Sequence, residues 1–158
     1  PTINGPGQNE PFLVEQMKAV KEGKPVILPG GGKTRLQMVD VRDVAQAIVL
    51  SLQEITKGLL IANVASDNVP TIREMVKALF HHAGKKEKIL SVPAPIARAI
   101  VKTLSLLGVS PLEPQHLEIA LRDYVFDNNR AKKTLGWHPV KNDIESSIDA
   151  YEWFIQNI

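Results

Sequence analysis

Hydrophobic residues recur three and four positions apart through most of the chain, which is the spacing of amphipathic helices. Pro11 begins one such stretch, which runs to about Glu22 and is ended by Gly23. Thr71 and Glu74 have the spacing of a capping box, so the apolar pattern behind them predicts the most regular helix of the chain. Further helices are predicted over residues 44–53, 95–107, from about 114, 129–135 and 143–156.

Short apolar runs between these helices predict strands. They cover residues 25–29, 36–41, 59–64, 89–92 and 124–126. The first two runs flank three consecutive glycines, which predicts a strand, a flexible hairpin turn and a second strand. Because strands alternate with helices, the predicted fold class is α/β with a partly parallel sheet, and the small late strands indicate an α+β substrate lobe.

Two of the predicted helices carry a more specific expectation. Asp43 is predicted to cap the helix that starts at Val44, because its carboxylate can accept from the free amides of a first turn. The helix from Pro95 to Leu107 is so apolar that we expect it to be buried on most of its surface or to pack on a partner. Core packing, or a lid over a missing half of the protein, is favoured over an oligomer contact or a membrane-surface segment.

The composition is that of an ordinary globular protein. Of 158 residues, 44% are apolar and 23% charged, and the net charge of +2 is too small to indicate nucleic acid. The absence of cysteine excludes disulfides and thiolate chemistry and permits a reducing cytoplasm, where we expect the protein. No apolar run approaches the roughly 18 residues that a membrane span needs, so no membrane association is expected.

Four motifs occur in a characteristic order. They are Pro1–Gly7, the Gly23-x-Pro25 to Gly32-Lys33 turn, Val39-x-Val41-x-Asp43-Val44-Ala45, and Asp127-x3-Ala131-x3-Leu135-Gly136-Trp137-x-Pro139. Their order and spacing resemble the C-terminal half of the extended short-chain dehydrogenase/reductase family, the NAD-dependent epimerases and dehydratases that act on nucleoside-diphosphate sugars. The resemblance covers nearly all of residues 1–158. It implies the C-terminal part of an extended Rossmann-type fold, in which a few parallel strands with helices are joined to a small α+β substrate-binding lobe.

This resemblance implies a longer parent protein. An N-terminal Rossmann half would bind NAD or NADP, and the present chain would form the substrate-binding portion that closes over a sugar nucleotide. The chain opens at Pro1 in a segment that reads as the middle of something longer, although removal of an initiator methionine is an alternative.

The family's reactive motifs are missing from this sequence. It contains neither the Gly-x-x-Gly-x-x-Gly turn nor the Tyr-x-x-x-Lys pair, and neither Tyr124 nor Tyr151 has a lysine four positions later. We therefore assign no catalytic residue, and we expect the chain alone to be inactive and to hold no cofactor. No metal site is assigned either, because His81 and His82 are adjacent on a helix and point about 100° apart.

The resemblance also implies a set of contacts. Pro1 and Thr2 would lie nearest the nicotinamide, as the cofactor-binding residues. Predicted substrate contacts are Gln8, Arg35, Gln37 and Arg122. The family's diphosphate-binding arginine aligns with residue 36, one place after Arg35, so Arg35 can replace it only if the turn reshapes.

Other functions remain open. The chain is also compatible with a stand-alone, non-catalytic module that binds a nucleotide, RNA or a protein partner. The expected partners are a small-molecule substrate and the missing Rossmann half, with a homodimer possible and nucleic acid disfavoured. The Gly30–Thr34 run imitates a phosphate-binding loop, but a strand rather than a helix is predicted to follow it, so the hairpin is favoured.

Overall fold

The computed structural model describes residues 1–54, 58–108 and 114–157. Its strands are β1 (Thr2–Asn4), β2 (Val26–Pro29), β3 (Met38–Asp40) and β4 (Ile89–Val92). Its helices are α1 (Pro11–Lys21), α2 (Val41–Glu54), α3 (Ile72–His82), α4 (Ala94–Leu106), α5 (Pro114–Ala120), α6 (Asn129–Leu135) and α7 (Asp143–Asn157), and a short 3-10 turn spans Gly30–Gly32.

The chain forms two compact units. The first unit comprises Pro1–Gln8, Gln37–Val69 and Val125–Ile158, and the second comprises Asn9–Leu36 and Pro70–Tyr124. Each has its own two-stranded parallel sheet: β1 pairs with β3 in the first unit, and β2 pairs with β4 in the second. Parallel strands separated by helices confirm the predicted α/β class.

The core of the first unit is built around Trp137. This indole is completely buried against Val39, Ala47 and Ala131, between α2, β3 and α6. Its Nε1–H donates to the backbone oxygen of Asp43 at 2.8 Å, so the polar edge of the ring is satisfied inside an apolar core. Two of the recognised motifs therefore meet in space and hold the unit together.

The second unit packs helices α1 and α3 beside its sheet. Its core consists of apolar side chains from both helices and from β2, namely Met17, Val20, Val26, Leu28, Ile72, Met75, Val76, Leu79 and Phe80. The capping box of α3 is confirmed, because the Thr71 side chain accepts from the Glu74 amide while the Glu74 carboxylate accepts from the Thr71 amide.

The predicted hairpin is wrong. β2 and β3 do not pair with each other; each pairs in parallel with a strand distant in sequence. The predicted strand over residues 59–64 is also absent. Its side chains are alternately exposed and half-buried, but it forms no ladder with any described residue. At the last predicted strand, Tyr124 makes a single parallel bridge to Leu36.

Asp43 does not cap a helix. Helix α2 begins two residues earlier, at Val41, and Asp43 lies buried inside its first turn. Its carboxylate instead accepts the backbone N–H groups of Val140 and Lys141, at 3.0 and 3.2 Å. An aspartate carboxylate can accept backbone N–H groups either at a helix N-terminus or from a distant loop, and Asp43 does the second.

Helix α4 is far less buried than its composition predicts. Ala97 is its one buried residue, whereas Ile100 is 48% and Leu106 80% exposed. α4 packs on α5, and the Arg98 guanidinium donates to the Glu118 carboxylate at 2.7 Å between them. In the part of the chain that the structure describes, no helix combines the length and the apolar character that crossing a bilayer requires.

Gly32 provides a test of the packing in the second unit. A Cβ at this position would lie 2.6 Å from the Leu28 Cδ1 atom and 3.1 Å from the Arg73 backbone nitrogen, and φ is +65°. Gly84 has nearly the same φ, +63°, but nothing within 4 Å of an added Cβ. We expect Gly84→Ala to cost about 1–2 kcal/mol for left-handed backbone, and Gly32→Ala to cost roughly 1–3 kcal/mol more through overpacking.

Urea unfolding of both variants measures this difference. Equal losses of unfolding free energy would contradict the close approach of β2 and α3 at Gly32.

Candidate functional site

The end of β1 in the first unit carries a cluster of buried amides. Gln8 donates from Nε2 to the Ile3 carbonyl at 2.8 Å and to the Asn4 Oδ1 atom at 3.3 Å. Asn4 in turn donates from Nδ2 to the Ser147 hydroxyl at 2.9 Å. Thr2 lies within β1, half-buried, opposite Met38, and Pro1 precedes it in an exposed position. The structure thus brings Pro1, Thr2 and Gln8 together on one strand and its following loop.

Gln37, also in the first unit, is fully engaged by the fold. Its side chain is buried; Nε2 donates to the Ser66 carbonyl at 2.6 Å, and Oε1 accepts from the Phe126 backbone N–H. These two bonds fix the segments on either side of the residue. A contact of Gln37 with substrate stays a prediction.

Asp143 is a deeply buried acid near these segments, 1% exposed. Its carboxylate accepts from the Ser66 hydroxyl and, at 3.3 Å, from the Met38 backbone N–H. Burial raises its pKa above the ordinary value, and the hydrogen bonds from Ser66 and Met38 only partly oppose that effect. The group joins β3, the loop at Ser66 and the start of α7.

The raised pKa has a consequence for stability. The folded chain binds this proton more tightly than the unfolded chain, so the stability associated with Asp143 is greatest below about pH 4, the ordinary carboxyl range, and declines as pH rises through the raised folded pKa. We expect Asp143→Asn, which keeps an acceptor but cannot ionise, to gain stability relative to the parent chain between about pH 4 and 7.

Urea unfolding across that range tests this expectation, with Asp67→Asn as a control of opposite sign. Hydrogen bonds from Lys132 and Asn128 lower the Asp67 pKa, so its contribution is lost as pH falls. If the unfolding free energies of the parent chain and the Asp143→Asn variant change in parallel with pH, the raised Asp143 pKa is contradicted.

In the second unit, the segments that carry Arg35 and Arg122 lie side by side. The Arg35 backbone N–H donates to the Asp123 carboxylate at 2.8 Å, and the Tyr124 N–H donates to the Arg35 carbonyl, also at 2.8 Å. Both arginine side chains are exposed, and the Arg122 guanidinium is 3.9 Å from the Glu118 carboxylate. The fold therefore places two cations on neighbouring segments, where an anionic ligand can reach them.

A cavity of about 500 Å³ lies elsewhere in the second unit. It is lined by Gly30, Gly31, Lys33, Arg73, Ser91, Val92, Pro93 and Ala94. These residues belong to the glycine turn, the first turn of α3, the end of β4 and the start of α4, and no sequence pattern groups them. The one local signal is the glycine run itself, which predicts a hairpin turn.

The two units differ in charge. Lysine and arginine outnumber aspartate and glutamate in the second unit, whereas acids outnumber bases in the first. The first unit's acids include Asp40, a buried residue that pairs with Arg42 at 2.7 Å. Burial opposes ionisation of Asp40, but the hydrogen bonds from Arg42 outweigh it and lower the pKa. This carboxylate is committed to an ion pair rather than poised to exchange protons.

The Gly5–Gly7 turn does not have the surroundings of a pyrophosphate site. A pyrophosphate binds where a glycine turn leads into the free amides of a helix. The helix that follows the Gly5–Gly7 turn in the chain is α1, and its first turn is already capped by the Glu10 carboxylate, which accepts from the Leu13 amide at 3.0 Å. A carboxylate at that point repels phosphate.

Comparison with known proteins relates this fold to a known family. Residues 1–65 match the NAD dependent epimerase/dehydratase family. Over its whole length the chain superimposes on the crystal structure of UDP-glucuronic acid 4-epimerase from Bacillus cereus in complex with NAD, with a TM-score of 0.71, 16% identity, and coverage of 98% of this chain and 42% of that one. The resemblance to extended short-chain dehydrogenases/reductases is thereby confirmed, and the chain has the fold of their NAD-dependent epimerases and dehydratases.

Two curated relatives are similar in sequence. The uncharacterized protein y4nG of Sinorhizobium fredii is 30% identical, with 87% of this chain and 34% of the relative covered. The 3beta-hydroxysteroid-dehydrogenase/decarboxylase isoform 2 of Arabidopsis thaliana is 27% identical, with 95% and 30% covered. The chain thus spans about a third of the length of these curated relatives.

Proposed function

We propose that this chain is the substrate-binding half of an NAD(P)-dependent sugar-nucleotide epimerase/dehydratase or reductase. An N-terminal Rossmann half supplies NAD(P) and the catalytic groups, and the chain alone is inactive. The similarity to the B. cereus UDP-glucuronic acid 4-epimerase, whose structure is a complex with NAD, supports this class of substrate and cofactor. Pro1 and Thr2 then lie nearest the nicotinamide, at the edge shared by the two halves.

The observation that carries the proposal is the unpaired edge of the sheet in the first unit. Its sheet has two strands, and β1 pairs along one edge with β3 and with no other described strand. Parallel sheets are normally larger than this and covered on both faces. Ile3 in β1 is 52% exposed, so this strand suits the boundary of a larger sheet.

Exposed apolar side chains on neighbouring elements support the same conclusion. On α2, Ile48 and Leu52 lie one turn apart and are 56% and 65% exposed. Leu59 and Ile61, in the extended segment of the same unit, also expose most of their surface. Contiguous exposed apolar surface is typical of an interface, and the missing Rossmann half is the occupant that the fold comparison supports.

Expression with and without the upstream coding sequence tests whether the N-terminal half supplies cofactor binding and catalysis. We expect the present chain to show no NAD(P) binding by calorimetry and no turnover of a UDP-sugar. The longer protein should show both, because it would contain the glycine-rich turn and the Tyr-x-x-x-Lys pair. Tight NAD(P) binding or turnover by the short chain would refute the proposal.

Within the longer protein, Arg35 and Arg122 are the proposed contacts to the diphosphate. Since a charge-assisted bond to phosphate contributes about 1.5–3 kcal/mol, we expect Arg35→Gln and Arg122→Gln each to raise KM for the sugar nucleotide by roughly tenfold or more. Exposed Arg130, in the first unit, provides a matched control, and Arg130→Gln should leave KM unchanged. If all three variants behave alike, neither arginine contacts the substrate.

The basic character of the second unit favours one alternative, a non-catalytic module that binds a nucleotide or RNA. Expression with and without the upstream coding sequence also tests this alternative. Such a module would bind its ligand equally well in both forms.

A further inference from the structure

Two loops meet at one end of the sheet in the second unit. Residues 22–25 lead from α1 into β2, and residues 83–88 lead from α3 into β4. Because β2 and β4 are parallel, both loops lie at the end where the strands begin. The Val26 N–H donates to the Lys88 carbonyl at 2.9 Å, and the Lys88 ammonium donates to the Gly23 carbonyl at 2.8 Å, so the loops are in direct contact.

This end of the second unit collects lysines from both connections. We call residues 18–25 and 81–88 the basic end; they comprise the two loops and the last turns of α1 and α3, which pack on each other. Their exposed charged residues are Lys18, Lys21, Lys24, Lys85, Lys86 and Lys88 against Glu22 and Glu87. Six positive and two negative charges leave +4, whereas the whole chain carries +2. The rest of the chain therefore sums to −2, and the positive charge is concentrated here.

The chain itself offsets only part of this charge. Glu22 pairs with Lys24 at 2.6 Å, and Glu87 pairs at 3.6 Å with Lys77, a cation that lies outside the basic end. The C-termini of α1 and α3 each contribute the equivalent of about half a negative charge, which leaves roughly +3. The small net charge of the whole chain disfavoured nucleic acid, but acidic residues elsewhere produce that small value.

The side chains of the basic end suit a row of phosphates. Lysine carries a point charge on a flexible stem, which can meet a phosphate from many directions. The basic end contains no phenylalanine, tyrosine or tryptophan, and Val20, its one branched aliphatic residue, is completely buried. Stacking on unpaired bases and insertion into a bilayer both use exposed aromatic or large apolar side chains, so neither is favoured.

A nucleic-acid duplex is the polyanion that matches this surface. It carries one phosphate charge per roughly 1.7 Å of its axis, and two packed helices present a surface about 20 Å across, which spans several phosphates. From this complementarity we propose that the basic end binds the phosphate backbone of a nucleic-acid duplex without reading its sequence. The proposal gives the RNA-binding alternative a defined surface, and it holds equally for a catalytic parent protein. It does not involve Arg35 or Arg122.

Fluorescence anisotropy with a labelled DNA duplex of about 20 base pairs, roughly two helical turns, tests this surface in the chain as it stands. We expect the logarithm of the association constant to fall with the logarithm of salt concentration with a slope of about −3. Each neutralised phosphate contributes about −0.9, and three or four lysines can reach the backbone. Duplexes of unrelated sequence should bind equally well.

A double variant, Lys85→Gln with Lys86→Gln, removes two exposed cations that form no ion pair within the described part of the chain. We expect it to weaken binding at about 50 mM salt at least tenfold and to reduce the steepness of the salt dependence by about 2. Arg130→Gln with Lys133→Gln is the matched control, since it removes two exposed cations from α6 in the first unit. It should change affinity by less than about twofold, as for distant screened charges. Circular dichroism checks that both variants are folded.

The proposal is overturned if the duplex does not bind, if binding is insensitive to salt, or if the control variant loses as much affinity as the variant at Lys85 and Lys86. It is also overturned if polyglutamate or phosphatidylglycerol vesicles bind this surface more tightly than the duplex, because the partner would then be an acidic protein or a membrane. Failure here leaves NAD(P) binding by the longer protein unaffected, so the two tests have separate outcomes.

Discussion

The first unit depends on the hydrogen bonds that join the first turn of α2 to the segment after α6. The Asp43 carbonyl accepts from the Trp137 indole, and the Asp43 carboxylate accepts from the amides of Val140 and Lys141. These contacts bridge nearly a hundred residues of sequence, and backbone donors satisfy the buried Asp43 carboxyl group. They place α7 so that Asp143 and Ser147 reach β3 and β1.

This constraint explains why two separate motifs predicted the family so well. Val39-x-Val41-x-Asp43 and Leu135-Gly136-Trp137 are two halves of one packing arrangement, so neither is informative alone but their combination is. The helix ends at Pro11, Thr71 and Gly136 could be predicted for a different reason. A proline in a first turn, a capping box and a left-handed glycine at a helix end depend only on residues a few positions away in sequence.

The strand pairing and the cavity could not be predicted in this way. β2 pairs with β4 although β3, α2 and α3 lie between them in the chain, and no local feature of residues 26–29 indicates that partner. The hairpin interpretation assumed that strands joined by a short turn pair with each other, whereas parallel strands need a long crossover connection. For the same reason the grouping of Gly31, Arg73 and Ser91 became visible only in three dimensions. Helix α4 shows a further limit, since an apolar stripe indicates a face that can be covered without indicating what covers it.

The central claim is that β1 and the outer face of α2 form a boundary with a Rossmann half outside this chain. Hydrogen–deuterium exchange tests it most directly, by comparing the present chain with the longer protein that includes the upstream segment. The account predicts that the amides of residues 2–4 exchange much more slowly in the longer protein, because a further strand pairs with β1, while amides around Trp137 are unchanged. Equal exchange of the β1 amides in both proteins would contradict it.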